Sequence, residues 1–187
     1  MNEQTSLVPD QQALEKLAAS LGQALIARGW TLACAESCTG GWAAQACTAI
    51  AGSSSWFDRG FVTYSNAAKQ DMLGVRAQTL QAFGAVSEAT AREMVMGALG
   101  RSQAQAAFAI TGIAGPTGAT VDKPVGMVCF AWQLQGLDPV LAQHVFSGDR
   151  QAVRAQAVAM ALQNMRELVQ KQVQTRVQNP DGCNGQI

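Results

Sequence analysis

Residues 31–50 read Thr31-Leu32-Ala33-Cys34-Ala35-Glu36-Ser37-Cys38-Thr39-Gly40-Gly41-Trp42-Ala43-Ala44-Gln45-Ala46-Cys47-Thr48-Ala49-Ile50. Thr31 to Ala35 is an apolar run of the length of a buried strand, Cys38 to Gly41 is a tight turn, and Trp42 to Ile50 is helix-forming. Strand, turn, helix is the repeating unit of an α/β domain. The same succession recurs downstream. Gly60 to Tyr64 reads as a strand and Asn66 as the cap of a helix carrying Lys69 and Met72; Ala106 to Ile110 reads as a strand running into a glycine-rich loop, Thr111 to Gly118.

Upstream, Asp10 caps a helix over residues 11–28, in which Leu14, Leu17, Leu21, Leu25 and Ile26 recur at helical spacing until Gly29 ends it. Ala51 to Ser55 is a loop, and Ser87, Glu88 and Thr90 open a helix that runs to about Leu99. Val125 to Leu134 and Val140 to Phe146 are apolar enough to pair as an antiparallel hairpin around Gly136-Leu137-Asp138-Pro139. A last helix begins near Asp149 and turns Val153, Leu162, Met165 and Val169 inward, and the chain after about residue 176 is expected to be mobile. Together these elements predict a three-layer α/β/α sandwich on a mixed, mainly parallel sheet. One domain is expected over residues 10–172, between a flexible arm at 1–9 and a tail at 173–187.

Of the 187 residues, 48% are hydrophobic and 14% charged, enough for a sizeable core. Thirteen basic side chains balance thirteen acidic ones, so no overall charge draws the surface to nucleic acid or to an anionic membrane. Neither is expected as a partner, and any phosphate must be gripped locally. Five cysteines without a secretory leader point to free thiols, a reducing compartment and the cytoplasm. His144 is the only histidine. It leaves no pair for a zinc site, and no metal or cofactor is implied.

The chemistry concentrates at strand ends. At Glu36-Ser37-Cys38-Thr39-Gly40-Gly41 a hydroxyl meets the unpaired amides of a helix start, which can hold a phosphate or a developing oxyanion. The plainer reading makes Ser37 and Thr39 caps and Gly40-Gly41 a close-packing site. The second junction offers Tyr64 and Lys69. A serine hydroxyl needs a base, and a lysine made neutral by burial and by a helix N-terminus serves as one, with Tyr64 relaying the proton or orienting the amine. Taken singly, Lys69 reads as a surface lysine and Tyr64 as a core ring. The Thr111-Gly112-Ile113-Ala114-Gly115-Pro116 loop and Arg150 or Arg154 on the last helix complete a possible crevice. Cations at a helix N-terminus oppose its dipole and hint at an anionic ligand, and either arginine could clamp a phosphate.

Six motifs in order, Ala35 to Gly41, Gly60 to Asn66 with Lys69, Gly84 to Ser87, Thr111 to Pro116, Lys123 to Gly126 and Phe146 to Arg150, resemble the CinA C-terminal domain family over about residues 10–170. The resemblance implies a nicotinamide-nucleotide amidase that converts nicotinamide mononucleotide and water to nicotinate mononucleotide and ammonia. It assigns Ser37 as nucleophile, Lys69 as base and Tyr64 as assisting hydroxyl. Glu36, Thr39, Gly40, Gly41, Asn66, Thr111, Gly112, Gly115 and Arg150 are the expected substrate-binding residues. It further implies a homo-oligomer, and the short arm leaves no room for the extra nucleotide-hydrolase domain of longer members. The alternatives are a nucleotide-binding regulator without chemistry and an amidase or esterase for another small substrate.

Overall fold

The computed structural model describes residues 8–178. The expected arm therefore lies outside the described residues up to residue 7, and the tail beyond residue 178. Asp10 caps α1 (Gln11–Ile26) by accepting the Ala13 amide at 2.8 Å. Then follow β1 (Leu32–Glu36), α2 (Trp42–Thr48), a 3-10 turn at Ser53–Ser55, β2 (Phe57–Val62), α3 (Asn66–Leu73), α4 (Ala77–Phe83), α5 (Glu88–Gly100), β3 (Ala106–Gly112), β4 (Met127–Leu134), β5 (Val140–Val145) and α6 (Arg150–Gln178).

The five strands form one mixed sheet in the order β2-β1-β3-β4-β5. β1 lies parallel to both β2 and β3, whereas β3 with β4 and β4 with β5 are antiparallel. Four of the five strands thus point one way, and the expected hairpin is β4-β5. The sheet is mixed as expected, with parallel and antiparallel ladders two apiece. β2 begins earlier than its apolar run because Phe57 to Val62 pairs along β1, with Glu36 opposite Val62. The expected strand end at Thr63-Tyr64 lies beyond it.

Side chains alternate between the two faces of the sheet. One face carries the large residues Leu32, Phe108, Ile110, Phe130 and Trp132, packed against α1, α2 and α6. The other carries Ala33, Ala35, Ala107, Ala109 and Ala131 beneath α5, with Leu73 of α3 and Leu80 of α4. Short side chains there let α5 approach the sheet closely. α5 also packs closely on α3 at Gly97, where a Cβ would collide with the carbonyl oxygen of Leu73 at the end of α3.

The chain leaves β1 toward β2 on one side, and returns through α3, α4 and α5 to β3 on the other side of β1. Connections that part in this way open a crevice at the carboxyl ends of the central strands, where α/β proteins place their ligands. Ser37, Thr63 and Thr111 all stand at that edge. Gly97→Ala is expected to destabilise the fold by about 1–3 kcal/mol in chemical denaturation, because the clash with a fixed backbone oxygen outweighs any gain in helix propensity. A variant as stable as the wild type would show that α3 and α5 are not packed this closely.

Candidate active site

The β1 ladders run one residue past the strand. The Ser37 amide donates to Ile110 O at 2.9 Å and the Thr63 amide to Glu36 O at 2.8 Å, which fixes the first residue beyond β1 and beyond β2. Glu36, fully buried, turns its carboxylate under α2 and accepts the amides of Gly41, Ala43 and Ala44 at 3.0, 3.1 and 2.8 Å. A carboxylate at a helix N-terminus satisfies the unpaired amides and complements the dipole. Gly40 and Gly41 have φ of 62° and 94°, a left-handed pair that turns the chain from β1 into α2. The Gly40 amide donates back to Ser37 O at 3.0 Å. These bonds claim the amides of Gly40 and Gly41 at the turn whose amides were expected to hold a phosphate or an oxyanion. The amides of Cys38 and Thr39 are left by them.

α3 begins at Ser65, whose Oγ accepts the Ala68 amide at 3.0 Å; the cap is Ser65 and not Asn66, because Ser65 has the extended backbone of a cap. One turn in, the Lys69 side chain runs back toward the helix start, as long side chains on helices do. Its Nζ lies 2.8 Å from Thr63 O, to which it donates, and 2.9 Å from Ser37 Oγ. Lys69 is only 1% exposed. Burial lowers its pKa from the ordinary lysine value, since an ammonium loses more than a neutral amine on leaving water; a Cys38 thiolate would oppose this. Burial in turn pushes the Cys38 thiol up to about 12, which keeps it protonated and uncharged near neutral pH. A neutral amine that donates to Thr63 O has its lone pair free to accept the Ser37 proton.

Ser37 and Lys69 open into a cleft of about 260 Å³, also lined by Tyr64, Asn66, Thr111 and the Gly112 to Gly115 stretch, with Arg150 at its edge. Six of the expected binding or assisting residues thus meet at one cleft: Tyr64, Asn66, Thr111, Gly112, Gly115 and Arg150 beside the lysine–serine pair, with Ser37 itself 9% exposed. Thr111 donates its hydroxyl to Ala85 O at 2.8 Å, leaving its lone pairs to the cleft. Tyr64 corrects one expectation. It is 61% exposed, and its hydroxyl accepts from Arg150 Nη2 at 2.8 Å, so the partner that orients the amine is the Thr63 carbonyl. Arg150 Nη1 also donates to Gly115 O at 2.7 Å, tying the glycine loop to the β2–α3 junction.

Glu36, Thr39, Gly40 and Gly41 are not among the cleft's lining residues. Glu36 is committed to α2, and Thr39, fully buried, gives its carbonyl to Arg154 Nη2 at 2.7 Å. The Thr63 carbonyl had no signature in the sequence, since any residue type supplies one. Among the described residues no three His, Cys, Asp or Glu side chains are grouped to hold a metal ion. Cys34, Cys38, Cys47 and Cys129 are free and buried, and no helix of the described residues is long and apolar enough to cross a membrane.

The profile of the CinA C-terminal domain matches residues 14–169. The chain belongs to the CinA C-terminal domain family. Within it, the chain is 51% identical over 160 residues to the nicotinamide-nucleotide amidohydrolase PncC of Enterobacter agglomerans, a match covering 85% of this chain and 98% of that one. To the PncC of Escherichia coli K12 it is 55% identical over 152 residues, covering 81% and 92%. The solved structure of the competence/damage inducible protein CihA from Agrobacterium tumefaciens superposes with a TM-score of 0.82 at 44% identity, over 89% of this chain and 99% of that one. The CinA C-terminal fold thus carries the serine–lysine contact in this chain at the junction that parallel β1 and β2 create.

A lysine whose folded pKa is lowered binds fewer protons than the unfolded chain, between the folded value and the ordinary one. Across that window wild-type stability is expected to rise with pH, relative to Lys69→Met, which has no such group. Denaturation of both proteins over the neutral to alkaline range measures the difference. Parallel pH profiles would mean that Lys69 is not held out of water.

Proposed function

We propose that this protein hydrolyses the carboxamide of nicotinamide mononucleotide to nicotinate mononucleotide and ammonia, with Ser37 as nucleophile and Lys69 as general base. The observation that carries the reading is a buried amine, of lowered pKa, 2.9 Å from a serine hydroxyl at the mouth of a cleft. Substrate class comes from the relatives: proteins 51% and 55% identical along almost their whole length are nicotinamide-nucleotide amidohydrolases.

In the proposed cycle Lys69 removes the Ser37 proton as Oγ attacks the carboxamide carbon, and the carbonyl oxygen becomes an oxyanion. The amides of Cys38 and Thr39, free of the bonds that Glu36 and the turn make, stabilise that charge; the residue after a nucleophile is a common donor in acyl transfer. The Lys69 ammonium then returns its proton to the leaving nitrogen, the C–N bond breaks and ammonia departs, leaving an ester on Ser37. Water, deprotonated by Lys69, attacks the ester; the C–Oγ bond breaks as the Lys69 ammonium returns that proton to Ser37, and the acid formed loses its own proton to solvent and leaves as the carboxylate. Thr63 O holds the amine in line throughout. Thr111, Asn66, Gly112, Gly115, Tyr64 and Arg150 wall the bound nucleotide.

The reading extends to the cytoplasm, supported by the free thiols at Cys34, Cys38, Cys47 and Cys129. It also extends to one catalytic domain over residues 10–172 and to a homo-oligomer as the family resemblance implies, which light scattering on the purified protein tests. Ser37→Ala and Lys69→Met are each expected to lower ammonia release from the mononucleotide by at least about 10³-fold while still binding nicotinate mononucleotide. Wild-type turnover should rise with pH to a plateau, the ionisation lying below the ordinary lysine range. Ser37→Ala at wild-type rate removes the covalent scheme; a wild type that binds without turnover favours the regulator.

A further inference from the structure

Beside the reaction cleft lies a second cavity of about 500 Å³, lined by Trp42, Asp149, Arg150, Gln151 and Arg154. Arg150 borders both. Arg154, on the first turns of α6, donates through Nη2 to Thr39 O at 2.7 Å and sets its guanidinium 5.2 Å from the Trp42 ring centroid. Its Nε is enclosed without a hydrogen-bond partner, and so is the hydroxyl of fully buried Thr39. Among the described residues neither Arg150 nor Arg154 stands in an ion pair with a carboxylate, unlike Arg59 with Asp58 and Arg76 with Glu93. Asp149, the one acid in the lining, spends Oδ1 on the Ala152 amide at 2.8 Å as the cap of α6.

Two cations outside any ion pair, one half-buried and one exposed, set where a long helix already presents its positive end, make a local positive potential that suits an anion. The cavity is also close to the chemistry. Thr39 is two residues past Ser37, so their Cα atoms are at most about 7.6 Å apart, within the length of one mononucleotide. We infer that this second cavity is the phosphate subsite of the reaction cleft, and that Arg154 is the residue that reads the 5′-phosphate dianion of a mononucleotide. Arg150, with one N–H of each Nη committed to Gly115 and Tyr64, is the wall the ribose crosses rather than the principal phosphate reader. The arrangement explains why a protein without net charge needs no broader basic surface to hold a dianion.

The inference rests on the mononucleotide reading above, and binding separates the two. Calorimetry on the full-length protein measures Kd for nicotinate mononucleotide and for nicotinate riboside, which differ only in the phosphate. Wild type is expected to bind the mononucleotide at least about tenfold more tightly; Arg154→Ala should remove most of that difference while moving the riboside Kd less than about threefold, and Arg154→Lys should recover part of it. Equal weakening of both ligands would make Arg154 a structural tie to Thr39 and overturn the subsite. So would a wild type without preference for the phosphate, or an Arg154→Ala that keeps it. Ammonia release from nicotinamide mononucleotide by the wild type is scored separately: its absence overturns the amidase reading, while the binding ratio still decides the subsite.

Discussion

The molecule is organised around an amine kept out of water. Burying Lys69 costs free energy as an ammonium and much less as a neutral base, and the fold provides one acceptor for it, the Thr63 carbonyl, and one partner for its lone pair, Ser37. Both partners are placed by ladders on β1 that run one residue past the strands, to β3 at Ser37 and to β2 at Thr63. The alanine-lined face beneath α5 and the close packing of Gly97 on Leu73 hold α3 near enough for its lysine to reach across.

The walls of the site come from far apart in the chain and are tied by a single guanidinium. Arg150 at the start of α6 bonds Gly115 in the β3–β4 loop and Tyr64 after β2, so three connections move together. Four residues on, Arg154 performs the matching task for the Ser37 turn through Thr39. The N-terminal turns of α6 therefore set the distance between the loop that carries Ser37 and the loop that faces it. That is why a helix whose body serves the hydrophobic core also bears on the chemistry.

Much of this was legible in residue order because strand-to-helix junctions announce themselves locally. Apolar runs ending in Ser37-Cys38-Thr39-Gly40-Gly41 or Thr111-Gly112 need no distant information, and neither do the caps at Asp10 and Ser87. The contact between Ser37 and Lys69, 32 positions apart, is different. Residue types made it chemically reasonable, but only the order of family motifs singled it out. α4 escaped notice because Ala77–Phe83 is short and its cap position, Arg76, makes no side-chain capping bond. The start of β2 was set by its partner β1, a pairing that its own residues do not encode. Tyr64 was misread for a related reason: the identity of a hydroxyl's neighbour, here Arg150, lies on another element.

Glu36 bears on how the site treats charge. By capping α2 from within, its carboxylate quenches the positive pole that such a turn usually shows to ligands. The Ser37 turn, muted in this way, draws an acid less than a bare helix start would. In the proposed cycle the α2 dipole then adds little pull on the carboxylate that leaves, and hold on the nucleotide falls to its far end.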